Sequence, residues 1–414
     1  MKKRILLIGY NFSPEPTGIG KYNGEMMRWL AAQGHNCVVL TAYPYYPHWQ
    51  VQEPYTRHRR GFISETESFA SGGRLTTHRC PMYIPAKPSG LKRMVLDSTF
   101  LLSSGLKLLQ LLAGAKFDAV LVVAPSFQLG LLGVLVRKLR GTTFLYHVQD
   151  MQIEAARDLQ MIKSPAVINA LLKIERYIFS RASIISTISE AMVQRISEKA
   201  GRPVILLPNW TDIAAFCPID NQSAAKTAFG FAPTDKVVLY SGAIGEKQGL
   251  EAIIEAANTF RKQPQVKFVI CGSGPYKEKL EALAHSRQLA NVLFFPLQPY
   301  DKFNQFLNCA DVHLVIQKAN ASDLVMPSKL TTILAVGGLA LITANENSGL
   351  HQLVSKHQMG LLVQAENQQA LNEGIQAAIA EPHASLKANA RAYAEEYITI
   401  ERIMHKLEEA IGAQ

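Results

Sequence analysis

Short apolar runs recur along the chain, each followed by a turn rich in glycine or proline and then by a stretch with helical spacing. Residues 5–8 (Ile-Leu-Leu-Ile) form the first run, and a run with no polar alternation predicts a parallel strand buried on both faces. A loop over 11–20 follows, then a helical pattern with Met26, Met27, Trp29, Leu30 and Ala31 on its apolar side. Gly34 stands where a helix C-cap is expected, and residues 37–40 form the next strand. The chain therefore opens with a βαβ unit.

The rhythm continues with strands predicted at 119–123, 143–146, 183–186 and 204–207, and Pro208-Asn209-Trp210 breaks the last. It restarts with strands at 237–240, 266–271, 292–295, 312–316 and 339–343. Helices are predicted at 249–260, 276–284, 301–308 and 328–336. Two βα series of this kind predict two doubly wound, Rossmann-like α/β domains, residues 1–212 and 213–385, facing a central cleft. One last amphipathic helix, within 386–414, is expected to pack back on the first domain. No repeat of 20–50 residues interrupts the pattern. In open α/β sheets ligands lie at the carboxyl ends of the strands, so chemistry is sought in the loops just after them.

Composition narrows the class. The chain has 414 residues, 48% hydrophobic and 18% charged, which excludes a disordered or low-complexity protein. The net charge of +10 is uneven: 26 basic and 14 acidic residues over 1–212 give +12, and 17 against 19 over 213–414 give −2. A basic first half points either to an anionic partner or to solubility alone. No nucleic-acid module accompanies the charge, so nucleic acid is not expected. The five cysteines are scattered without CxxC or zinc spacing, and no metal site is expected. The uncharged stretch 119–136 is broken by Pro125, Ser126 and Gln128 and reads as a strand, a turn and a helix. The N-terminus lacks a cleavage signal, so a cytoplasmic location is expected.

Several post-strand loops carry chemistry. Gly18 and Gly20 open the first helix, where glycine admits a ligand to the backbone and a helix N-terminus favours anions; a tight turn is the alternative. In the second series, Gly242 and Gly245 with Lys247 can hold a diphosphate, although the spacing is not that of an ATP-binding P-loop. Gly272, Ser273, Gly274 and Pro275 permit the approach of a flat or sugar-like group. Ser328 and Lys329, behind Pro327, present hydroxyl, amide and charge at a helix start. In the first series, His147 follows a strand and can orient a sugar or exchange a proton, and Asp150 is similarly placed. Tyr45, Tyr46 and Trp49 offer aromatic faces to a sugar, a base or a membrane interface, with loop packing as the alternative. The basic residues 57–60, Arg79, Lys87, Lys92 and Arg93 precede a leucine-rich stretch at 101–109, a combination suited to an anionic membrane.

These motifs, in this order, resemble the retaining GT-B glycosyltransferases of family 4. The marks are Pro14-Glu15 with Gly18 and Gly20, Gly34-His35, His147, Pro208-Asn209, Gly242 and Lys247, the 272–275 loop and the helix behind Pro327. Residues 241–251 and 324–338 are closest to glycosyltransferases of colanic acid biosynthesis. The resemblance implies that Gly18 and Gly20 face donor phosphate and acceptor, and that His147 contacts the transferred sugar. It implies that Lys247 binds the diphosphate with the amides of Ser328 and Lys329. The 272–275 loop and the 295–300 segment, with Leu297 in it, would hold base and ribose. It further implies a nucleotide-sugar donor, GDP-fucose in the closest subgroup, no metal, and a polyprenyl-diphosphate-linked acceptor at the inner face of the cytoplasmic membrane. Two departures stand out: Ala243 and Ile244 occupy positions where many members have arginine or asparagine, and of two glutamates eight apart in many members the second falls at Thr332 and the first near 322–324, where only Asp323 is acidic. A non-catalytic assembly protein and a nucleotide-sugar epimerase are the competing readings.

Overall fold

The computed structural model describes residues 2–15, 18–86, 90–158, 162, 164–318, 327–346 and 348–413. It divides into two compact units, Met1–Pro208 with Ile403–Gln414, and Asn209–Arg402.

The first unit holds an eight-stranded sheet: β1 (Arg4–Ile8), β2 (Asn36–Ala42), β3 (Ile63–Ser68), β4 (Arg74–Cys80), β5 (Ala119–Ala124), β6 (Thr143–Val148), β7 (Ile184–Thr187) and β8 (Ile205–Leu206). Their order is β3-β4-β2-β1-β5-β6-β7-β8. All pairs are parallel except β3 with β4. Every residue of β5 is buried, as its unbroken apolar run requires. The order reverses between β1 and β5, which makes their carboxyl ends the switch point of the sheet.

The second unit holds six parallel strands: β9 (Lys236–Ser241), β10 (Val266–Cys271), β11 (Val292–Phe295), β12 (Val312–Val315), β13 (Ala340–Thr343) and β14 (Leu361–Val363), ordered β11-β10-β9-β12-β13-β14. Alternate residues of β9 serve opposite faces. Val237 and Leu239 enter one core with Phe306 and Leu334, whereas Val238 and Tyr240 enter the other with Ile253 and Leu280. The switch point lies between β9 and β12.

Three readings of the sequence change. First, the polar stretch after β2 is a hairpin, with β4 extending the sheet in parallel and β3 turning back on it. Arg79 is therefore no part of a solvated basic surface. It is 4% exposed, pairs with Glu65 at 2.7 Å, donates to the Ser13 carbonyl and lies over the Tyr55 ring. Second, the last helix is two, Ala384–Tyr397 and Ile400–Gly412. The break is held because Thr211 N–H donates to the Ile398 carbonyl and Thr399 caps the second helix through Arg402 N–H. The second helix packs on the first unit, where Glu408 meets His35 at 2.7 Å and His405 meets the Trp29 ring edge-on. Third, the helix expected from 249 starts at Glu251, and a single 3₁₀ turn, Glu246–Gln248, precedes it.

The stretch Lys92–Leu112 is long and apolar enough to cross a membrane. It belongs to the helix Gly90–Leu112, which commits Leu96, Phe100, Leu108 and Leu112 to the core. Met94, Val95, Leu102, Leu106 and Leu109 face outward.

Candidate functional site

In the second unit, three loops abut at the carboxyl ends of β9, β10 and β11. Gly242 N–H donates to the Cys271 carbonyl, Ile244 N–H to the Ser273 carbonyl, and Gly272 N–H to the Phe295 carbonyl. The contact is backbone on backbone. A Cβ at Gly272 would collide with the Gly242 carbonyl, and one at Gly274 with the Ile244 carbonyl. These two glycines are thus explained by loop–loop packing as well as by any ligand. Ile244 is fully buried beneath them, which explains why no arginine stands there: the loop is anchored by an apolar side chain. Pro275 and Ser273 remain at the rim, and Leu297, just past β11, is 55% exposed.

Beside this rim, across the switch point, starts the helix Ser328–Ala335. Its cap residue, Pro327, takes the Leu330 N–H on its carbonyl but contributes no side-chain acceptor, so among the described residues no side chain caps the first N–H groups. Lys329 reaches from this helix toward Gly242. Its Nζ lies 3.6 Å from the centre of the Tyr240 ring and 3.0 Å from the point a Gly242 Cβ would occupy. Tyr240 is itself fixed, its hydroxyl donating to the Ala243 carbonyl at 2.8 Å. Desolvation lowers the Lys329 ammonium from the usual 10.5 to about 7. Among the described residues no carboxylate pairs with it. A cation held by a neutral ring at a helix start is arranged for an anion. Thr332 spends its hydroxyl on the Lys329 carbonyl.

Lys247 sits in the 3₁₀ turn, and its side chain lies outside the described residues, as does Asp323. The nearest long helix after it begins at Glu251 with an acidic first residue. The helix Ser328–Ala335 offers its dipole to this rim, with Ser328 exposed at its first position. Gly245 is extended, and a Cβ there would meet only the flexible Gln248 side chain.

In the first unit, Gly18 begins the helix Gly18–Ala32 with φ +62°, and nothing lies within 4 Å of where its Cβ would be. Gly20 differs: a Cβ there would strike the Glu15 side chain. Glu15 is 2% exposed and accepts from Asn11 and from the N–H groups of Tyr45 and Tyr46, tying the loop after β1 to the loop after β2. Tyr45 is buried, so its ring serves packing against Tyr10 and Trp49. Tyr46 is 37% exposed and Trp49 partly so. His147 is the penultimate residue of β6, with Nδ1 2.9 Å from the Ser186 hydroxyl. Burial lowers its pKa to about 4, so at neutral pH it is an uncharged imidazole held in one orientation. Asp150 follows β6 and adds to the fields that raise the Tyr10 phenol. Sequence reasoning missed Asp97, a buried carboxylate in the leucine-rich helix, which accepts from Gln152 at 3.2 Å. Its signal was faint: one acidic residue within an apolar stretch.

Residues 17–210 match the family described as glycosyl transferase 4-like domain, and residues 221–397 match glycosyl transferases group 1. WcaI of Escherichia coli K12, assigned as a glycosyl transferase of colanic acid biosynthesis, is 40% identical over 415 residues, covering 97% of this chain and 98% of that one. The chain belongs to the group 1 glycosyltransferases. Its architecture agrees with theirs. Sucrose-phosphate synthase of Thermosynechococcus elongatus superposes with a TM-score of 0.74 at 18% identity, covering 100% of this chain and 99% of that one. Anabaena HepE, solved with UDP and glucose, superposes at 0.67 with 15% identity over 100% of both chains. The GT-B fold is thereby shown, with one family match on each unit. A glycosyltransferase of this fold has to stabilise a leaving group that gains charge, and placed cations and N–H groups do this without reorganisation. Among the described residues no three His, Cys, Asp or Glu gather into a metal-binding cluster.

Proposed function

We propose that this glycosyltransferase moves fucose from GDP-fucose to a polyprenyl-diphosphate-linked sugar, with retention of configuration, in assembly of an exopolysaccharide of the colanic acid type. The relationship to WcaI over nearly the whole chain supports the pathway class. The observation that carries the donor reading is Lys329, a desolvated ammonium without a carboxylate partner among the described residues, next to the bare Gly242 turn and a helix start without a side-chain cap. Lys329, the Ser328 and Lys329 amides and Lys247 then receive the donor diphosphate. Gly245, Gly272, Ser273, Gly274, Pro275 and Leu297 line the nucleoside side.

The sugar–phosphate bond breaks as the acceptor hydroxyl approaches the anomeric carbon from the face the diphosphate leaves. The acceptor oxygen forms the new bond, and its proton passes to a phosphate oxygen of the departing GDP. His147, uncharged and fixed by Ser186, positions a sugar hydroxyl. Gly18, open at the start of its helix, admits phosphate or acceptor to the backbone.

The acceptor side belongs to the first unit. The outward stripe of Val95, Leu102, Leu106 and Leu109, with exposed Lys92, Arg93 and residues 57–60, suits the anionic inner face of the cytoplasmic membrane. Incubation of the purified protein with a panel of nucleotide sugars, a polyprenyl-diphosphate monosaccharide and anionic vesicles tests the proposal. GDP-fucose supporting GDP release and a product that keeps the donor's anomeric configuration is expected, and release from a different donor alone would replace the donor assignment.

A further inference from the structure

Four strand ends and one helix of the first unit converge on one polar cluster that the donor chemistry does not use. The helix Gly90–Leu112 supplies Asp97, 4% exposed, and Arg93 one turn earlier. The end of β5 supplies Ser126, 1% exposed, whose hydroxyl faces the Asp97 carboxylate and favours its charged form. Past β6 come Gln152, which donates to Asp97 through Nε2 while its buried Oε1 is unpartnered, and Asp150. Tyr10 past β1 and Tyr45 past β2 flank the cluster, and their phenols feel both Asp97 and Arg93. Trp49 forms the rim, its ring 5.6 Å from Tyr45 and beneath the Arg93 guanidinium at 5.3 Å. Four of the five elements are the carboxyl ends of parallel strands, β1 and β5 among them.

We propose that Asp97, Gln152 and Ser126 form a hydroxyl-binding subsite for the terminal sugar of the acceptor, with the Trp49 ring as the platform for its apolar face. A buried carboxylate met by one amide and one hydroxyl keeps lone pairs unused, a serine hydroxyl turned to it can still accept, and a free amide oxygen seeks a donor. Vicinal sugar hydroxyls, each both donor and acceptor, answer all three at once. A phosphate would not, since the Asp97 carboxylate opposes it. Desolvation has raised Asp97 to about 6, and a donating hydroxyl offsets that cost. The inference rests on the acceptor reading above.

Methyl glycosides of neutral hexoses, titrated into the full chain with tryptophan emission as readout, test it. Wild-type protein is expected to bind at least one glycoside with an emission change that Trp49→Phe removes. Asp97→Asn and Ser126→Ala should weaken that binding by about tenfold or more, as loss of a hydrogen bond to a buried charged group does. They should also raise the acceptor KM while leaving the donor KM alone. Melting at or above the wild-type temperature separates this from a structural role. Unchanged affinity in both variants, or no glycoside bound by the wild type, overturns the subsite. Absence of sugar transfer by a wild type that still binds glycosides through Trp49 instead overturns the proposed reaction.

Discussion

The Lys329 ammonium stands 3.6 Å from the centre of the Tyr240 ring, on the side of the second sheet where Gly242 leaves room for it. The ring compensates the charge only in part, which is why the pKa falls to about 7. The residue is costly to the empty protein and useful to an anion-bound one.

Replacing Lys329 by Met should therefore lower kcat/KM for the nucleotide sugar by roughly 10²–10³-fold, the scale of losing one placed electrostatic group. The same variant should melt at or above the wild-type temperature. Calorimetric unfolding alongside steady-state kinetics checks both halves.

The pH dependence follows from the same shift. Lys329 titrates near 7 when folded and near 10.5 when unfolded. Its burial penalty is complete below about pH 7 and fades as pH rises toward 10.5. A bound diphosphate raises the folded pKa, so GDP binding takes up a proton above pH 7 and weakens as pH rises from 7 to 9. Titration calorimetry in two buffers of different ionisation enthalpy reads that uptake, and Lys329→Met should abolish it.

Sequence pattern made most of the fold legible, because buried parallel strands such as β5 and β9 announce themselves as unbroken aliphatic runs. The hairpin of β3 and β4 was hidden because Ile63–Ser68 and Arg74–Cys80 alternate polar residues at a sheet edge. Arg79 looked like a surface charge and Asp97 was passed over, and only tertiary packing places them inside. The glycine loops were visible from sequence. That Gly272 and Gly274 are demanded by a neighbouring backbone was not, since residues thirty apart set that requirement.

Gly274→Ala should cost about 3 kcal/mol or more, as the added methyl meets the Ile244 backbone. Gly245→Ala, whose added methyl meets the far end of the Gln248 side chain, should cost well under about 1 kcal/mol. Ile244→Arg should also destabilise by about 3 kcal/mol or more and reduce activity, because position 244 is fully buried. Urea unfolding of the three variants ranks them.

On the helix Gly90–Leu112, changing Leu102, Leu106 and Leu109 together to Ser should leave the melting temperature within a few degrees of the wild type, since all three face outward. Co-sedimentation with vesicles containing about one-third anionic lipid should fall at least about tenfold, each leucine contributing roughly 1.5–3 kcal/mol when buried in the interface. Loss of binding at high salt is expected as well.

The central claim is that the Lys329–Gly242 corner holds the diphosphate of a nucleotide sugar. Titration of GDP into wild type and Lys329→Met at pH 7 tests it most directly. The account predicts binding by the wild type and a loss of about a hundredfold in the variant; equal affinity of the two proteins for GDP would contradict it.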